Sequence, residues 1–476
     1  MGATKKRVLI ICHDIVAKKM GGGGIRYFEI AKHLAKKFEV TLAIPNEPEL
    51  FDLPFKLVRY FNVGSFPPLI DDCDYVFVQL MEASNVKYAV QQGKVIIYDF
   101  YNAIPIEYLG SLAFGKPPTP ENDEMFKKLL SDYELFGLSG DYFVCSNERQ
   151  RDFWIGVLTA NGALLPTNID RRRVEDIVGI VPFGTPEDPP KKTKPIFRGV
   201  VAGIEKEDFV VLWAGGIWDW FDPLSAIRAM AMLKDQPKIK LIFMGMTHPN
   251  KEVGRMSMAD RAVKLAKELG LYKKSVFFIT TWLDYSEKAN YLLEADVAIS
   301  THFDSVETRF SFRTRVLDHF WAGIPSIVTQ GDWFAEYIAK HDLGRVVSYE
   351  NPEEIAQAIR GFYDQPTTLK FTKKRVSEIE PAFRWSASTR DLIGAIERIE
   401  RPLAKNENLT PALDFNNTLV ENSKYQHDIK ALETRLKSAE SEKAKIAAEL
   451  NEVYNSRRWR MALRMSKVYR AVRGRK

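Results

Sequence analysis

The residues with the greatest potential for chemistry lie in a short run in the second half of the chain. Arg309, Arg313 and Arg315 alternate there with the hydroxyls of Ser311 and Thr314, where a helix is predicted to begin. Guanidinium groups, hydroxyls and the free N–H groups of a helix start together suit a diphosphate. The alternative interpretation is a surface network of arginine and glutamate side chains that binds no ligand.

Two acidic residues flank this arginine cluster. Glu307 precedes it, and Asp318 lies on the helix predicted over 313–322. The Asp318 carboxylate could accept hydrogen bonds from ribose hydroxyls, because an ionised carboxylate is an acceptor at both oxygens. We expect both acids to belong to the same site as the arginines.

A glycine-rich loop near the start of the chain is the second candidate. Gly22, Gly23 and Gly24 follow the first predicted strand, and Arg26 lies in the helix predicted over 25–37. Glycines let the backbone approach a ligand closely, and a helix N terminus favours anions, so we expect an acceptor or phosphate loop. The loop lacks the GxGxxG spacing, and a tight turn without a ligand would carry the same glycines.

Two further residues could act as an acid or a base. Asp99 ends the strand predicted over 94–98 and would face a cleft if that strand is parallel to the first, so it could contact an acceptor hydroxyl. His13 lies beside the glycine-rich loop. The alternatives are a helix-capping aspartate and an ordinary hydrogen-bonded histidine.

Two series of apolar segments that alternate with amphipathic ones must position these residues. The predicted strands cover 8–12, 39–44, 75–80, 94–98, 142–145 and 177–181, then 209–213, 240–244, 276–279, 297–300 and 326–329. Continuous apolar strands separated by helices indicate α/β domains with parallel, doubly wound sheets. Five prolines between Pro182 and Pro195 indicate a hinge. The predicted domains are therefore 1–183 and 199–402, joined by a linker over 184–198.

The periodicity changes in the last part of the chain. After a linker predicted over 403–421, apolar residues at alternating spacings of four and three predict a coiled coil over 422–455, with Lys443 as its charged core position. This pattern predicts a homo-oligomer, and the alternative is a lone helix packed on the domains.

The final segment, 456–476, is basic and amphipathic. Its membrane-facing candidates are Trp459, Arg460, Leu463 and Arg464, and from Arg457 to Lys476 it holds nine basic residues and no acid. We expect an interfacial helix attracted to an anionic membrane surface. A frayed basic end and a nucleic-acid-binding arm are the alternatives.

Composition excludes several classes of protein. The 476 residues are 45% hydrophobic and 27% charged, which is typical of globular domains. The net charge of +6 is smaller than the charge of the basic tail alone, so no uniformly basic nucleic-acid-binding surface is expected. Cys12, Cys73 and Cys145 form no CxxC pair and read as reduced core residues of a cytoplasmic protein. No apolar stretch is long enough to span a bilayer.

Taken together, the glycine-rich loop, the proline-rich hinge and the stretch that ends in Ala322-Gly323-Ile324-Pro325 resemble the GT-B glycosyltransferases, and within them family four. The segment 180–184 resembles the interdomain strand end of that family, and 209–216 resembles its first donor-domain strand. The segment 216–223 is similar to a branch of bacterial surface-polysaccharide transferases. The resemblance covers about residues 5–400.

This resemblance implies retaining transfer of a hexose or deoxyhexose from a UDP-, GDP- or dTDP-sugar to a growing, lipid-linked cell-surface glycan. Gly215, Gly216, Trp282 and Leu283 would contact the donor, with Glu307 as a catalytic acid. No metal and no cofactor beyond the donor are expected. The enzyme would work in the cytoplasm, on the inner face of the cell membrane. The alternatives are an inactive scaffold that acts through its coiled coil, and a nucleotide-sugar epimerase or phosphorylase of similar fold.

The sequence departs from the family pattern in two places. Ten residues separate Glu307 from Asp318 where the family has seven, and the strict spacing would place the first acid at Phe310. Between Gly216 and Pro223 there is no basic residue, although the family commonly has two there. We infer that Arg309, Arg313 or Arg315 has taken over the neutralisation of the diphosphate.

Overall fold

The chain is described by a computed structural model over residues 5–113, 117–169, 172–245, 257–279, 287–405 and 407–474. Contacts divide it into two compact units, 1–413 and 414–476. The first unit contains two parallel sheets, each covered by helices. The expectation of an α/β protein with two doubly wound domains is therefore confirmed.

The first sheet has seven parallel strands in the order β3-β2-β1-β4-β5-β6-β7. Its strands are β1 (Arg7–Ile11), β2 (Glu39–Ile44), β3 (Lys56–Arg59), β4 (Tyr75–Val78), β5 (Val95–Asp99), β6 (Tyr142–Cys145) and β7 (Val178–Ile180). The accompanying helices are α1 (Gly22–Leu34), α2 (Phe66–Asp71), α3 (Ala83–Gln91), α4 (Ile104–Ala113), α5 (Pro120–Ser139), α6 (Glu148–Ala160) and α7 (Pro166–Ile169). The inner strands are largely apolar because helices cover both faces of the sheet.

The second sheet has six parallel strands in the order β10-β9-β8-β11-β12-β13. Its strands are β8 (Phe209–Trp213), β9 (Ile239–Met244), β10 (Val276–Ile279), β11 (Val297–Ser300), β12 (Ser326–Thr329) and β13 (Gly344–Val347). Its helices are α8 (Pro223–Met232), α9 (Ser257–Glu268), α10 (Lys288–Leu292), α11 (Val306–Phe310), α12 (Thr314–Trp321), α13 (Trp333–His341), α14 (Pro352–Asp364) and α15 (Pro366–Ile379). The strand order reverses beside β8, and ligands of open α/β sheets bind beyond the strand ends at such a point.

Two short helices return from the second domain to the first. They are α16 (Trp385–Ser388) and α17 (Arg390–Arg398). Trp385, Leu392 and Ile396 are fully buried in the same core cluster as strands β1 and β2. The apolar face of α17 is thus covered by the first domain, and the domain bounds of 1–183 and 199–402 remain a prediction. All three cysteines are free and buried, as expected.

The C-terminal unit consists of helices. Helix α18 (Leu409–Asn455) begins inside the predicted linker, because its first turn buries Leu409 and Leu413 in the core of the first unit. Helix α19 (Arg457–Arg473) follows after Ser456, whose hydroxyl accepts a hydrogen bond from the Trp459 N–H (3.1 Å) and caps the helix. The apolar heptad residues are about half exposed: Ile429, Leu432, Leu436, Ile446, Leu450 and Val453. Coiled-coil pairing remains a prediction.

Candidate functional site

A cleft with a cavity of about 170 Å³ lies between the two α/β domains. One wall comes from the loop after β5, helix α4 and helix α6, and the other from the loop after β8 and from α11 and α12. The lining residues are Asn102, Ala103, Ile106, Glu107, Gln150, Trp218, Trp220, Phe221, Glu307, Phe310, Ser311, Phe312, Arg313, Thr314 and Arg315. Both domains thus contribute polar side chains to one cavity at the carboxyl ends of their strands.

Arg315 is the most distinctive group in this cleft. It is 9% exposed, and its guanidinium lies 4.0 Å from the ring centre of Phe221 and 5.0 Å from that of Trp213. Its Nη2 donates to the carbonyl oxygen of Gly216 (2.8 Å), whereas its Nη1 has no hydrogen-bond partner among the described residues. Burial first, and then the neighbouring Arg313, lower the pKa of Arg315 to about 9. Arg315 is therefore a charged, buried group at neutral pH with an unused donor.

Arg313 has a different environment. Its two terminal nitrogens donate to both carboxylate oxygens of Glu307 (3.0 and 2.7 Å), in a pair that is almost fully buried. Its Nε lies 3.9 Å from Asp332 and makes no hydrogen bond in the described structure. A bidentate pair of this kind fixes the orientation of both side chains. Glu307 therefore holds Arg313 in place and is not an isolated carboxylate.

Glu307 lines the cleft because of its position on helix α11. It lies three residues before Phe310, which is about one helical turn, and both residues line the cavity. The acid is thus displaced from the position that the family spacing would give it, yet it lies at the same cavity. Gly110 of α4 packs against the Glu307 side chain so closely that a side chain at Gly110 would overlap its Cβ.

The start of α12 supplies backbone donors to the cleft. Its N-cap residue is Arg313, and no side chain caps the helix. Thr314 and Ser311 line the cavity beside it, and the Ser311 hydroxyl donates to the Thr308 carbonyl (3.1 Å). Uncapped N–H groups at a helix start attract anions, and Arg315 adds a full charge in the same place. The cluster of Ser311, Arg313, Thr314 and Arg315 is therefore brought together as expected.

The loop after β8 completes this wall. Gly215 has a φ of +108°, a backbone conformation that residues with a Cβ rarely adopt. The loop is held at both ends by acids: Asp219 accepts from the Met258 N–H (2.8 Å), and Asp222 accepts from the Ser225 N–H (2.9 Å). Gly215 and Gly216 are thus held next to Arg315.

Four of the described donor-site residues predicted from the sequence are not among those that line the cleft: Gly215 and Gly216, which adjoin it beside Arg315, and Arg309 and Asp318. Arg309 lies on another side of α11, has a side chain that is 59% exposed, and is 3.6 Å from Glu336. Asp318 lies one turn further along α12 and forms an ion pair with Lys288; burial raises the pKa of Asp318. The expectation that Arg309 joins the diphosphate cluster is wrong, because its position on a short helix points it away. Trp282 and Leu283 lie outside the described residues.

The glycine-rich loop hydrogen bonds to an acidic side chain of the same chain, Asp14. Gly22, Gly23 and Gly24 form the first turn of α1, and the Gly24 N–H donates to the Asp14 carboxylate (3.2 Å). A side chain at Gly24 would overlap the carbonyl oxygen of Ile15, so this glycine is needed for close backbone packing. A phosphate at this helix start would meet the charge of Asp14. The structure therefore corrects the expectation of a phosphate loop here.

Arg26 and Asp99 neutralise each other inside the first domain. The guanidinium donates to both Asp99 oxygens at 2.7 Å, and the two residues are 2% and 1% exposed. Tyr101 covers the guanidinium with its ring centre at 4.2 Å. Burial lowers the pKa of Arg26, but Asp99 outweighs that effect and the net pKa is raised. Asp99 is therefore not available as an acid or base for an acceptor, and Arg26 is not available for a phosphate.

His13 lies near the solvent-exposed rim of the first domain. Its Nε2 hydrogen bonds to the Leu80 carbonyl (2.7 Å), and its Nδ1 lies 3.3 Å from the Tyr60 hydroxyl. Because a carbonyl only accepts, Nε2 carries a proton. His13 does not belong to the set of residues that line the cleft.

The sequence interpretation missed several residues of the cleft. Glu107 and Asn102 come from α4 and the loop before it, while Trp218 and Trp220 come from the loop after β8. The pKa of Glu107 is raised, first by burial and then by the charge of Glu307. Glu107 could have been found from its position in the segment that follows β5. Ligands of parallel sheets bind beyond the carboxyl ends of the strands, so polar residues in such a segment are candidates for the site.

Two further observations concern metals and membranes. Among the described residues, no group of three or more histidine, cysteine, aspartate or glutamate side chains could hold a metal ion. Within the same ranges, none of the helices combines the length and the apolar character needed to cross a membrane.

The two-domain architecture places the chain in the GT-B class of folds. Anabaena HepE, solved with UDP and glucose, superposes with a TM-score of 0.59 at 13% identity, over 83% of this chain and 100% of that one. Sucrose-phosphate synthase from Thermosynechococcus elongatus gives 0.60 at 15% identity, over 83% and 98%. WaaG, a glycosyltransferase of lipopolysaccharide biosynthesis, gives 0.56 at 17%, over 83% and 100%.

At the level of sequence families, residues 200–379 match the family described as "Glycosyl transferases group 1". The second α/β domain is therefore a glycosyltransferase group 1 domain, and it contains the Arg315 side of the cleft. No curated protein sequence matches the chain.

Proposed function

We propose that this protein is a retaining glycosyltransferase that moves a sugar from a nucleotide-sugar donor to a glycan acceptor. The observation that carries the proposal is Arg315, a buried cation with an unused donor in the interdomain cleft of a group 1 domain. Asp318 acts on Arg315 through its charge, but Arg315 hydrogen bonds to no carboxylate. A buried charge with such partial compensation is unfavourable, so the site is best completed by an anion. The donor diphosphate is such an anion.

In this proposal the diphosphate lies between Arg315 and the start of α12. The Nη1 of Arg315 and the backbone N–H groups near Thr314 donate to phosphate oxygens, and Gly215 allows the backbone to approach them. As the bond from the sugar to the diphosphate breaks, negative charge grows on the leaving oxygen. Donors fixed beforehand in a buried site stabilise that charge without reorganisation.

The same arrangement supports a reaction without a metal. The acceptor hydroxyl oxygen forms the new bond to the sugar carbon, the nucleoside diphosphate departs, and the hydroxyl proton passes to the departing phosphate. Arg315 and the helix start supply the positive potential that a metal ion would otherwise provide. The bidentate ion pair with Glu307 fixes the orientation of Arg313, the N-cap residue of α12.

The donor test uses UDP-glucose, GDP-mannose and dTDP-rhamnose, with donor hydrolysis and transfer to cell-surface glycan extracts as the readouts, in the presence and absence of EDTA. We expect one donor to turn over in the wild type, with EDTA having no effect, and a loss of at least tenfold in Arg315→Ala. The matched control is Arg360→Ala, because Arg360 forms an exposed pair with Asp235 on the same domain. Turnover that is equal in Arg315→Ala and the wild type would reject the proposed site.

The acceptor is proposed to be lipid-linked, with helix α19 holding the enzyme at an anionic membrane surface. The helix carries basic side chains beside exposed apolar ones, including Trp459, Leu463 and Val468. Helices of this composition lie in the interface between headgroups and acyl chains. Attachment to the surface on which the acceptor resides would raise its effective concentration.

Helix α18 is proposed to form a coiled coil between copies of this chain. Its half-exposed apolar residues recur at heptad spacing, and Lys443 interrupts them once. Sedimentation equilibrium at micromolar concentration is expected to show an oligomer that becomes a monomer when 422–453 is deleted. A monomer in both cases would exclude self-association.

A further inference from the structure

The stacked indoles of Trp218 and Trp220 form an aromatic surface on one wall of the cleft. The rings of Trp218 and Trp220 are nearly parallel, with 7° between their planes and 5.3 Å between their centres. Both residues line the cavity and are partly exposed to it. Phe221 lies next to Trp220 and beneath the guanidinium of Arg315, so this surface adjoins the proposed diphosphate position.

The loop that carries these indoles is fixed by its own acids. Asp219, between the two tryptophans, accepts from the backbone N–H of Met258 and the hydroxyl of Ser257 (2.8 and 3.1 Å). The Asp222 N–H donates to the Thr301 carbonyl (3.0 Å), which joins the end of the loop to the neighbouring strand end. Both acids are therefore used to hold the loop, and the aromatic rings are presented in a defined position.

Carboxylates line the same cavity from other elements. Glu107 comes from α4 of the first domain, and Glu307 comes from α11 of the second. The Glu307 charge acts on Glu107, which shows that the two groups are close. The other titratable groups of the cavity are Arg313, which neutralises Glu307, and Arg315. Glu107 accepts a hydrogen bond from Asn102, and because a carboxylate accepts at both oxygens it keeps acceptor capacity for a ligand.

We propose that Trp218 and Trp220, with Glu107, form a saccharide subsite: the apolar face of a sugar ring stacks on the indoles while its hydroxyls donate to the carboxylate. This inference rests on the proposed function and specifies how the site binds its sugar. A ring with an apolar face and several hydroxyl donors matches an aromatic surface combined with carboxylates. A second phosphate does not match it, because Glu107 is acidic.

The sequence supports the same assignment. The segment between Gly216 and Pro223 contains two tryptophans and no basic residue, whereas Arg315 from α12 supplies the cation at Gly216. The cation and the indoles thus come from different elements and adjoin each other through Phe221. Nothing in this arrangement requires the base of the nucleotide to contact the indoles.

The test compares nucleotide sugars with their parent nucleotides by isothermal titration calorimetry. The ligands are UDP-glucose, GDP-mannose and dTDP-rhamnose, each against UDP, GDP or dTDP. We expect Trp220→Ala to weaken binding of the nucleotide sugar about twofold to twelvefold, which corresponds to about 0.5–1.5 kcal/mol for a stacked ring, and to leave binding of the parent nucleotide unchanged. Trp220→Phe keeps an aromatic face and should recover most of the affinity, which guards against a folding defect. Phe371→Ala, an exposed aromatic on α15, is the matched control.

Saturation-transfer NMR with methyl glucoside, methyl mannoside and methyl rhamnoside identifies the source of the sugar. Glycoside binding that persists with saturating nucleotide sugar, and is lost in Trp220→Ala, assigns the indoles to the acceptor. Selectivity for the nucleotide sugar alone assigns them to the donor sugar.

If no nucleotide sugar binds to the wild type, the proposed function fails, and the glycosides test the subsite separately. Equal losses for nucleotide and nucleotide sugar, or no loss of either ligand in Trp220→Ala, would overturn the saccharide subsite.

Discussion

Each α/β domain of this protein buries an arginine near the carboxyl ends of its strands, but the two arginines are compensated differently. Arg26 in the first domain meets both oxygens of Asp99 and is covered by Tyr101. Arg315 in the second domain meets one backbone carbonyl and two aromatic rings and hydrogen bonds to no carboxylate. Each arginine keeps one terminal nitrogen without a hydrogen-bond partner among the described residues, so the two differ in the paired carboxylate. The pKa of Arg26 is raised, whereas that of Arg315 is lowered to about 9.

This difference separates a structural cation from a binding cation. A buried pair with excellent geometry is complete in itself, and a further anion would gain little from it. A buried cation that is compensated only in part, as Arg315 is by the charge of Asp318, interacts favourably with an arriving anion. The first domain therefore uses its arginine to hold the glycine-rich helix α1 to strand β5, while the second domain keeps its arginine for a ligand.

The largest expected effect is on folding of the first domain. Arg26→Met should leave the Asp99 charge buried without a partner and lower the free energy of unfolding by about 3–5 kcal/mol. Arg315→Met is the matched variant, because it also removes a buried guanidinium but leaves no buried carboxylate unpaired. It should leave stability unchanged or raise it. Urea unfolding monitored by circular dichroism measures both, and equal destabilisation would contradict the distinction between the two arginines.

A third group of arginines lies on helix α19, exposed and without acids in the same segment. Arg460→Ala combined with Arg464→Ala should weaken binding to vesicles containing phosphatidylserine by about 1 kcal/mol per residue, and leave stability unchanged. Co-sedimentation with phosphatidylserine and with neutral vesicles measures this. Lys437→Ala on α18 is the control. Binding that survives removal of all residues after Tyr454 would show that α19 is not the membrane contact.

The smallest effect concerns Glu107, an acid of the cleft that lacks the full compensation of Asp99. Its folded-state pKa is raised, mainly by burial, so its contribution to stability falls as pH rises from its unfolded pKa through its folded pKa. Glu107→Gln should therefore be more stable than the wild type at neutral pH, and the difference should vanish once both states are protonated in acid. Thermal unfolding from pH 4 to pH 8 measures this. A difference that does not change with pH would contradict the burial of the charge.

Much of the fold could be predicted from apolar runs, but two of the four edge strands could not. β8 and β11 lie where continuous apolar residues predicted them, because buried parallel strands have no polar face. β3 and β13 lie at the sheet edges, contain Lys56, Arg59 and Arg345, and were not predicted. Their half-buried pattern lacks the apolar run on which the prediction depends.

The candidate site was predictable only where residue type determines the role. The arginine cluster before α12 was found because cations, hydroxyls and a helix start coincide in sequence. Asp99 and Arg26 were assigned to ligands because a buried pair 73 positions apart leaves no trace in a single sequence. Glu107 and the two tryptophans were missed because the cleft is formed by segments that only the fold brings together.

The most direct measurement is the affinity of a nucleoside diphosphate for Arg315 variants. UDP, GDP and dTDP, and the corresponding nucleosides, would be titrated calorimetrically into the wild type, Arg315→Ala, Arg315→Lys and Arg360→Ala. The account predicts that the preferred diphosphate loses about tenfold to a hundredfold in Arg315→Ala, since hydrogen bonds to charged groups contribute about 1.5–3 kcal/mol. Arg315→Lys should recover part of that loss, and the nucleoside should be unaffected. A diphosphate affinity that is the same in Arg315→Ala as in the wild type would contradict the central claim that this buried cation is the donor-binding group.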